Sequence, residues 1–202
     1  NGFTTDEHEL CMLENGHYYL IAIGHRKVDL SEVVDGGNPN ATIKDNHVQG
    51  FDENGNLIFE WLCYDYYEIT DMINMDASQG HIDYVHMNSI AVDYDGHLIL
   101  SANRLSEVTK IDSETGDIIW RLGGKNNQFE FVNDEHGISR QHDARPVPGQ
   151  PNHYTIFDNG NDHQTHFSRA VEFKLDTEAM TATRVWEYRH PTQATGWMGN
   201  AQ

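Results

Sequence analysis

The stretch from Asp83 to Lys125 constrains the fold more than any other part of the chain. It reads DYVHMNSIAVDYDGHLILSANRLSEVTKIDSETGDIIWRLGGK, four short strand-like runs set apart by polar turns. The runs are Asn88–Val92, His97–Ala102, Ser106–Ile111 and Asp117–Leu122. Between them stand Asp93-Tyr-Asp-Gly96, a polar link through Asn103 and Arg104, and Asp112-Ser-Glu-Thr-Gly116. Asp, Asn and Gly suit such turns because they tolerate left-handed backbone or hydrogen-bond their own main chain. Four antiparallel strands in roughly 40 residues is the size of one β-propeller blade.

The unit recurs. His8–Leu13 and His17–Ile23 flank Glu14-Asn15-Gly16, and Asn-Gly between two apolar runs is the strongest short hairpin signal. Asn46–Phe51, the turn Asp52–Gly55 and Asn56–Trp61 complete that unit. A third follows in His142–Val147, His153–Phe157, Ser168–Leu175 and Thr181–Tyr188. In each unit an Asp precedes a Trp across the last turn: Asp52 and Trp61, Asp112 and Trp120, Asp176 and Trp186. The Trp spacings exceed the ~40–45 residues of a regular blade repeat, so inserted loops are required. The expectation is an all-β chain with almost no helix, one partial propeller domain over 1–202. Its units are 8–61, 83–124 and 138–188, with 196–202 opening a further one. Residues 62–82 read as a short helix or an irregular crossover, and 126–137 as a polar link. Three units and a fraction do not close a propeller, so the chain reads as a segment of a longer protein.

Lys and Arg number 13 against 32 Asp and Glu, a formal charge of −19. That balance argues against nucleic acid and anionic membranes, whose phosphates need a basic footprint. Its plain meaning is solubility. No apolar run approaches the ~20 residues of a membrane helix, and the polar start shows no signal peptide. Cys11 and Cys63 leave pairing open, and neither CxxC nor zinc spacing is present.

The chain holds 13 histidines. His17, His97 and His153 sit beside hairpin turns and read as solvated structural residues, as do His25, His47 and His81. His8, His86 and His142 each stand just before the first strand of a unit, where inner strands of a propeller would converge on a channel. Asn88, Ser89 and Arg145 add polar groups to that rim. Three imidazoles could ligate zinc or copper, but anion binding ranks higher and no metal site is assigned. Asp-rich turns such as Asp93–Gly96 lack the 12-residue calcium pattern. HExxH, GxSxG, P-loop and GxGxxG motifs are absent from the sequence.

His86-Met-Asn-Ser-Ile90, Leu100-Ser-Ala-Asn-Arg104, Val108-Thr-Lys-Ile111 and Ile119-Trp-Arg-Leu-Gly123 resemble the bacterial arylsulfate sulfotransferase family. Gln141-His142, Phe157-Asp-Asn-Gly160, Ser168-Arg-Ala-Val171 and Val185-Trp-Glu-Tyr188 follow in the same order. The resemblance implies a six-bladed propeller, secreted or periplasmic, that moves a sulfuryl group from an aryl sulfate to a phenol. It implies a ping-pong mechanism through a sulfated histidine, with no nucleotide or other cofactor. By that likeness His86 and His142 bind sulfuryl oxygens or act as acid and base. Arg104 matches the family's arginine at the end of the second strand, and Asn88, Asn159 and Arg169 join it as substrate-binding residues. The family's arginine after Phe-Asp-Asn-Gly falls here on Asn161-Asp-His163, so His163 stands in for it. Its sulfated histidine lies beyond the Trp-Glu-Tyr strand, where this chain offers only His190. The expected partners are a small aryl sulfate and a phenol, with a homo-oligomer left open. The competing reading is a non-catalytic propeller that binds anionic or phenolic ligands or a protein.

Overall fold

The computed structural model describes residues 2–190 and 194–201. Over that range it is all-β, in three sheets. The first joins β1 (Thr4–Met12), β2 (Tyr18–Val28), β3 (Ala41–Phe51) and β4 (Leu57–Trp61) as an antiparallel meander, and β5 (His81–Asp83) adds to β3 in parallel. The second is the meander β6 (Met87–Val92), β7 (Leu98–Ala102), β8 (Glu107–Ile111) and β9 (Ile118–Gly123). The third contains β10 (Glu130–Val132), β11 (His142–Pro146), β12 (His153–Asp158), β13 (Arg169–Asp176) and β14 (Thr181–Arg189). Its order is β11-β12-β13-β14-β10, with β10 parallel to β14.

The strands of the second sheet fall within a residue of the sequence reading. The first sheet differs, because β2 and β3 pair continuously from Tyr18↔Phe51 to Val28↔Ala41 and leave a shorter loop than the composition suggested. Residues 62–82 form no α-helix; they carry two three-residue 3-10 turns, Cys63–Asp65 and Ile69–Asp71. The stretch 126–137, read as a link, contributes β10. The segment 194–201, read as the start of a further strand, is irregular. Gln202 lies outside the described residues.

Hairpin chemistry and side-chain alternation build each sheet. In the Asp93 turn, Gly96 takes φ +87° and donates its N–H to Asp93 O at 3.0 Å, a backbone that any β-carbon would strain. The Asp93 carboxylate then turns inward, accepting from Lys110 Nζ and Tyr154 Oη at 2.6 Å each, which ties the second sheet to the third. One core lies between the first and second sheets, with Ile21, Ile43, Trp61, Tyr84, Met87 and Ile90 among its members. Another joins the second and third through Ile99, Val108, Trp120, Tyr154 and Phe173. Trp61 donates Nε1–H to Gly116 O of the second sheet at 3.0 Å, and Trp120 packs edge-on against Tyr154 of the third at 5.6 Å. Each such burial contributes on the order of 2 kcal/mol. Trp186, at the corresponding place in the third sheet, is 50% exposed.

The first strands β1, β6 and β11 meet at one end of this stack. Asn88 Nδ2 donates to Gln141 O at 2.8 Å, Ala144 N–H to Ser89 Oγ at 3.1 Å, and Arg145 Nη1 to Ile90 O at 2.8 Å. Cys11 and Cys63 are free thiols; burial pushes that of Cys63 up to about 12.

His47 departs from the solvated role expected of it. It is fully buried, its Nδ1 accepts from Cys63 N–H at 3.2 Å, and its Nε2 has no hydrogen-bond partner among the described residues. Burial lowers its pKa from 6.5 to about 4. The unfolded chain takes up this proton first, so stability is intact above pH 6.5 and is lost as pH falls from 6.5 toward 4. The loss is at most roughly 3–4 kcal/mol. His47→Asn keeps the acceptor without the titration, so its melting temperature should fall less steeply across that window than wild type's. Parallel curves would contradict this.

Candidate functional site

The converging strands leave two adjoining cavities of about 560 and 480 Å³. His8, His142 and Met198 line both; Asn88 and Arg145 face the larger, and His86, Arg104 and Arg140 the smaller. His8 does not precede its strand as expected but lies within β1, where the register shifts between Thr5 and Leu10. Such an irregularity re-aims side chains: Asp6 turns into the protein and His8 toward the cavity. His86 sits before β6 at φ +47°. His8 and His86 stack edge to face with ring centres 5.1 Å apart.

Each of these histidines has its Nδ1 held by an acceptor. Asp6 holds His8, Asp83 Oδ2 holds His86 at 2.8 Å, and Asn159 Oδ1 holds His142 at 2.7 Å. Asn159 donates both amide hydrogens to carbonyls, Thr195 O and Met198 O, each at 3.0 Å. Its oxygen therefore faces His142, and His142 Nδ1 must be the donor. Neutral His142 then carries its lone pair on Nε2. The same tautomer follows for His8 and His86, whose partners are carboxylates.

The environments of His8 and His142 push in opposite directions. Burial lowers the pKa of His142; the Asn159 bond opposes this, and positive charge on His86 and His8 adds to it. The hydrogen bond to Asp6 raises that of His8 against partial burial. Burial opposes ionisation of Asp83, yet its bond to His86 and the charge of Lys44 outweigh it and hold its carboxyl below the usual range. The cavity thus holds one imidazole shifted toward its neutral form and one shifted toward its protonated form.

Arg104 lines the smaller cavity and makes no side-chain hydrogen bond or ion pair among the described residues. Every other arginine is committed to a carboxylate, including Arg145 to Asp143 at 2.7 Å and to Glu9. Arg140 was not anticipated. It stands at φ +53° next to the Gln141-His142 pair, bonds Asp162 Oδ2 at 2.6 Å and Ile73 O at 3.0 Å, and keeps a buried Nη1 without a partner among the described residues. Asn88 likewise retains an unpartnered buried Oδ1.

Three expected site residues line neither cavity: His163, Arg169 and Asn159. His163 bonds Asp158 Oδ2 at 2.9 Å and stacks on Phe167 with ring centres 5.0 Å apart, outside both cavities. Arg140, not His163, lines the smaller cavity. Arg169 is buried, its guanidinium spent on Asp158 at 2.9 Å, Asp134 at 2.5 Å, Glu187 at 2.9 Å and Gly137 O at 2.5 Å. Those carboxylates outweigh the burial that would lower its pKa and raise it instead. Asn159 lines neither cavity and acts through His142. His190 faces a separate recess beside Tyr188.

Among the described residues no group of three or more His, Cys, Asp or Glu side chains is disposed to hold a metal ion. No described helix is long and apolar enough to cross a membrane. A crystal structure of a protein of unknown function from Bacteroides caccae is similar at 12% identity and TM-score 0.45, covering 90% of this chain and 67% of that one. No curated protein matches the sequence significantly. The arylsulfotransferase (ASST) family model matches residues 1–197, nearly the whole chain, and the chain belongs to that family.

Proposed function

We propose that this cavity transfers a sulfuryl group from an aryl sulfate to a phenol by way of a sulfo-histidine. One observation carries the reading: three histidines with fixed Nδ1 partners surround a space that also holds the unpaired cation Arg104. A sulfate ester is an anion whose transferring group develops charge on its equatorial oxygens. Arg104, the unpartnered Nη1 of Arg140 and protonated His8 are the donors available for that charge. Neutral His142 is the best placed nucleophile in this chain. Its Nε2 would attack sulfur as the S–O(aryl) bond breaks, and His86 or His8 would protonate the leaving phenoxide. The acceptor phenol would then lose its proton to the same base and take the group from nitrogen. No nucleotide enters either step.

The family and the stacking of successive sheets support a propeller, six-bladed when complete, of which units 8–61, 83–124 and 138–188 are blades. Trp61 and Trp120, each lodged against the following sheet, favour that arrangement. A secreted or periplasmic location is part of the same proposal.

Arg104→Gln tests the anion site. Loss of a charged hydrogen-bond donor should weaken phenyl sulfate binding roughly 10–100-fold. The melting temperature should hold, because no carboxylate among the described residues pairs with this side chain. Unchanged affinity in calorimetry would remove Arg104 from the site.

A further inference from the structure

The segment 194–201 is an irregular strap that closes one side of both cavities. Six atoms pin it. Asn159 Nδ2 donates to Thr195 O and Met198 O, Ser168 Oγ accepts from Thr195 N–H at 2.8 Å, and Asn161 Nδ2 donates to Gly196 O at 3.3 Å. Ala201 N–H donates to Asp143 Oδ2 at 3.0 Å. Gly199 lies so close to Phe157 that a β-carbon there would meet the ring at 2.0 Å, so the backbone itself is packed down. The strap is held, yet it presents its two largest apolar side chains outward: Trp197 is 85% exposed and Met198 71%. Both border the cationic cavity beside Arg104 and His142. A pinned backbone that keeps an indole in water next to a charged cavity is placed to meet a ligand with an apolar face.

We infer that Trp197, with Met198 beside it, forms the aryl subsite, stacking on the ring of a sulfate ester whose charged end reaches Arg104 and His142. The inference rests on the sulfuryl-transfer reading for the identity of the ester. Indole and thioether both favour aromatic faces, and neither contributes a charge that would compete for the anion. Asn159 links this subsite to the chemistry: the same amide that seats Thr195 and Met198 fixes the tautomer of His142. A ring gripped by Trp197 is thereby kept in register with the imidazole.

Calorimetric titration of the whole chain with phenyl sulfate and with methyl sulfate separates the ring from the anion. Wild type should prefer phenyl sulfate about tenfold, as one stacked ring pair and its buried area allow. Trp197→Phe should keep most of that preference. Trp197→Ala should abolish it while binding methyl sulfate like wild type, and its melting temperature should not change because the indole is exposed. A Trp197→Ala protein that still prefers phenyl sulfate overturns the subsite. Equal binding of both esters by wild type overturns the subsite and leaves the anion site standing. Trp197-dependent preference without turnover supports the subsite and overturns sulfuryl transfer. Binding of neither ester overturns both.

Discussion

His142→Ala is expected to lower sulfuryl transfer roughly thousandfold while leaving the fold intact. The ring lines both cavities, and its removal frees Asn159 Oδ1, which water in the cavity can then satisfy. The stability cost should therefore be about 1 kcal/mol or less. Asn159→Asp offers a companion test with a different signature. A carboxylate at that place would favour protonated His142 and would lose the amide hydrogens that seat Thr195 and Met198. The acidic limb of the pH–rate profile should then move to higher pH. On the proposed mechanism that limb reflects His142, which would have to be neutral to attack, and its lowered pKa places the limb below 6.5. With His8 as the proposed acid, the alkaline limb would reflect loss of its proton, and its raised pKa places that limb above 6.5. Activity should rise through the first value and fall through the second. A large drop in melting temperature for His142→Ala, or a profile that ignores Asn159→Asp, would give these residues a structural role only.

Arg169→Ala should instead fail through stability. Its guanidinium neutralises Asp158 and Asp134, both fully buried, together with Glu187. Removing it strands those carboxylates in the interior, a loss of about 3–5 kcal/mol. For a domain of this size the melting temperature should drop by roughly 10 °C. Arg169→Lys should recover part of that loss, since one charge remains but the fork reaching Gly137 O and the carboxylates does not. The affinity of the folded fraction for phenyl sulfate should be unaltered. Normal melting with weakened ester binding would return Arg169 to the substrate site.

The contrast between these arginines shows how far the residues themselves could be read. The strands were legible because apolar alternation and Asp-x-x-Gly or Asn-Gly turns coincide in sequence. The same alternation carried an unused signal at β13, where Arg169 shares a face with Val171, Phe173 and Leu175, all buried. An arginine in phase with a core face is a buried ion-pair residue more readily than a ligand for solvent-borne anions. His86, His142, Asn88 and Arg104 were legible through their motifs, and the structure brings them to one pair of adjoining cavities. His8 was aligned with them, but its aim depends on a register shift in β1 that no local pattern announces. Arg140 was hidden for a similar reason: its left-handed backbone, just outside β11, turns the side chain toward Asp162 and the cavity. His163 went the other way, since a loop residue's facing is set by its partner, here Asp158.

These histidines are proposed to exchange a sulfuryl group with the ester and the phenol. The most direct test of that transfer is to mix the protein with phenyl sulfate alone and weigh its proteolytic peptides under conditions that preserve a labile N–sulfuryl bond. The expected result is one equivalent of phenol released, a sulfuryl mass added to the peptide bearing His142, and its discharge when a phenol acceptor is added. Phenyl sulfate bound but unconsumed, with every histidine peptide at its native mass, would contradict it and leave a binding module in its place.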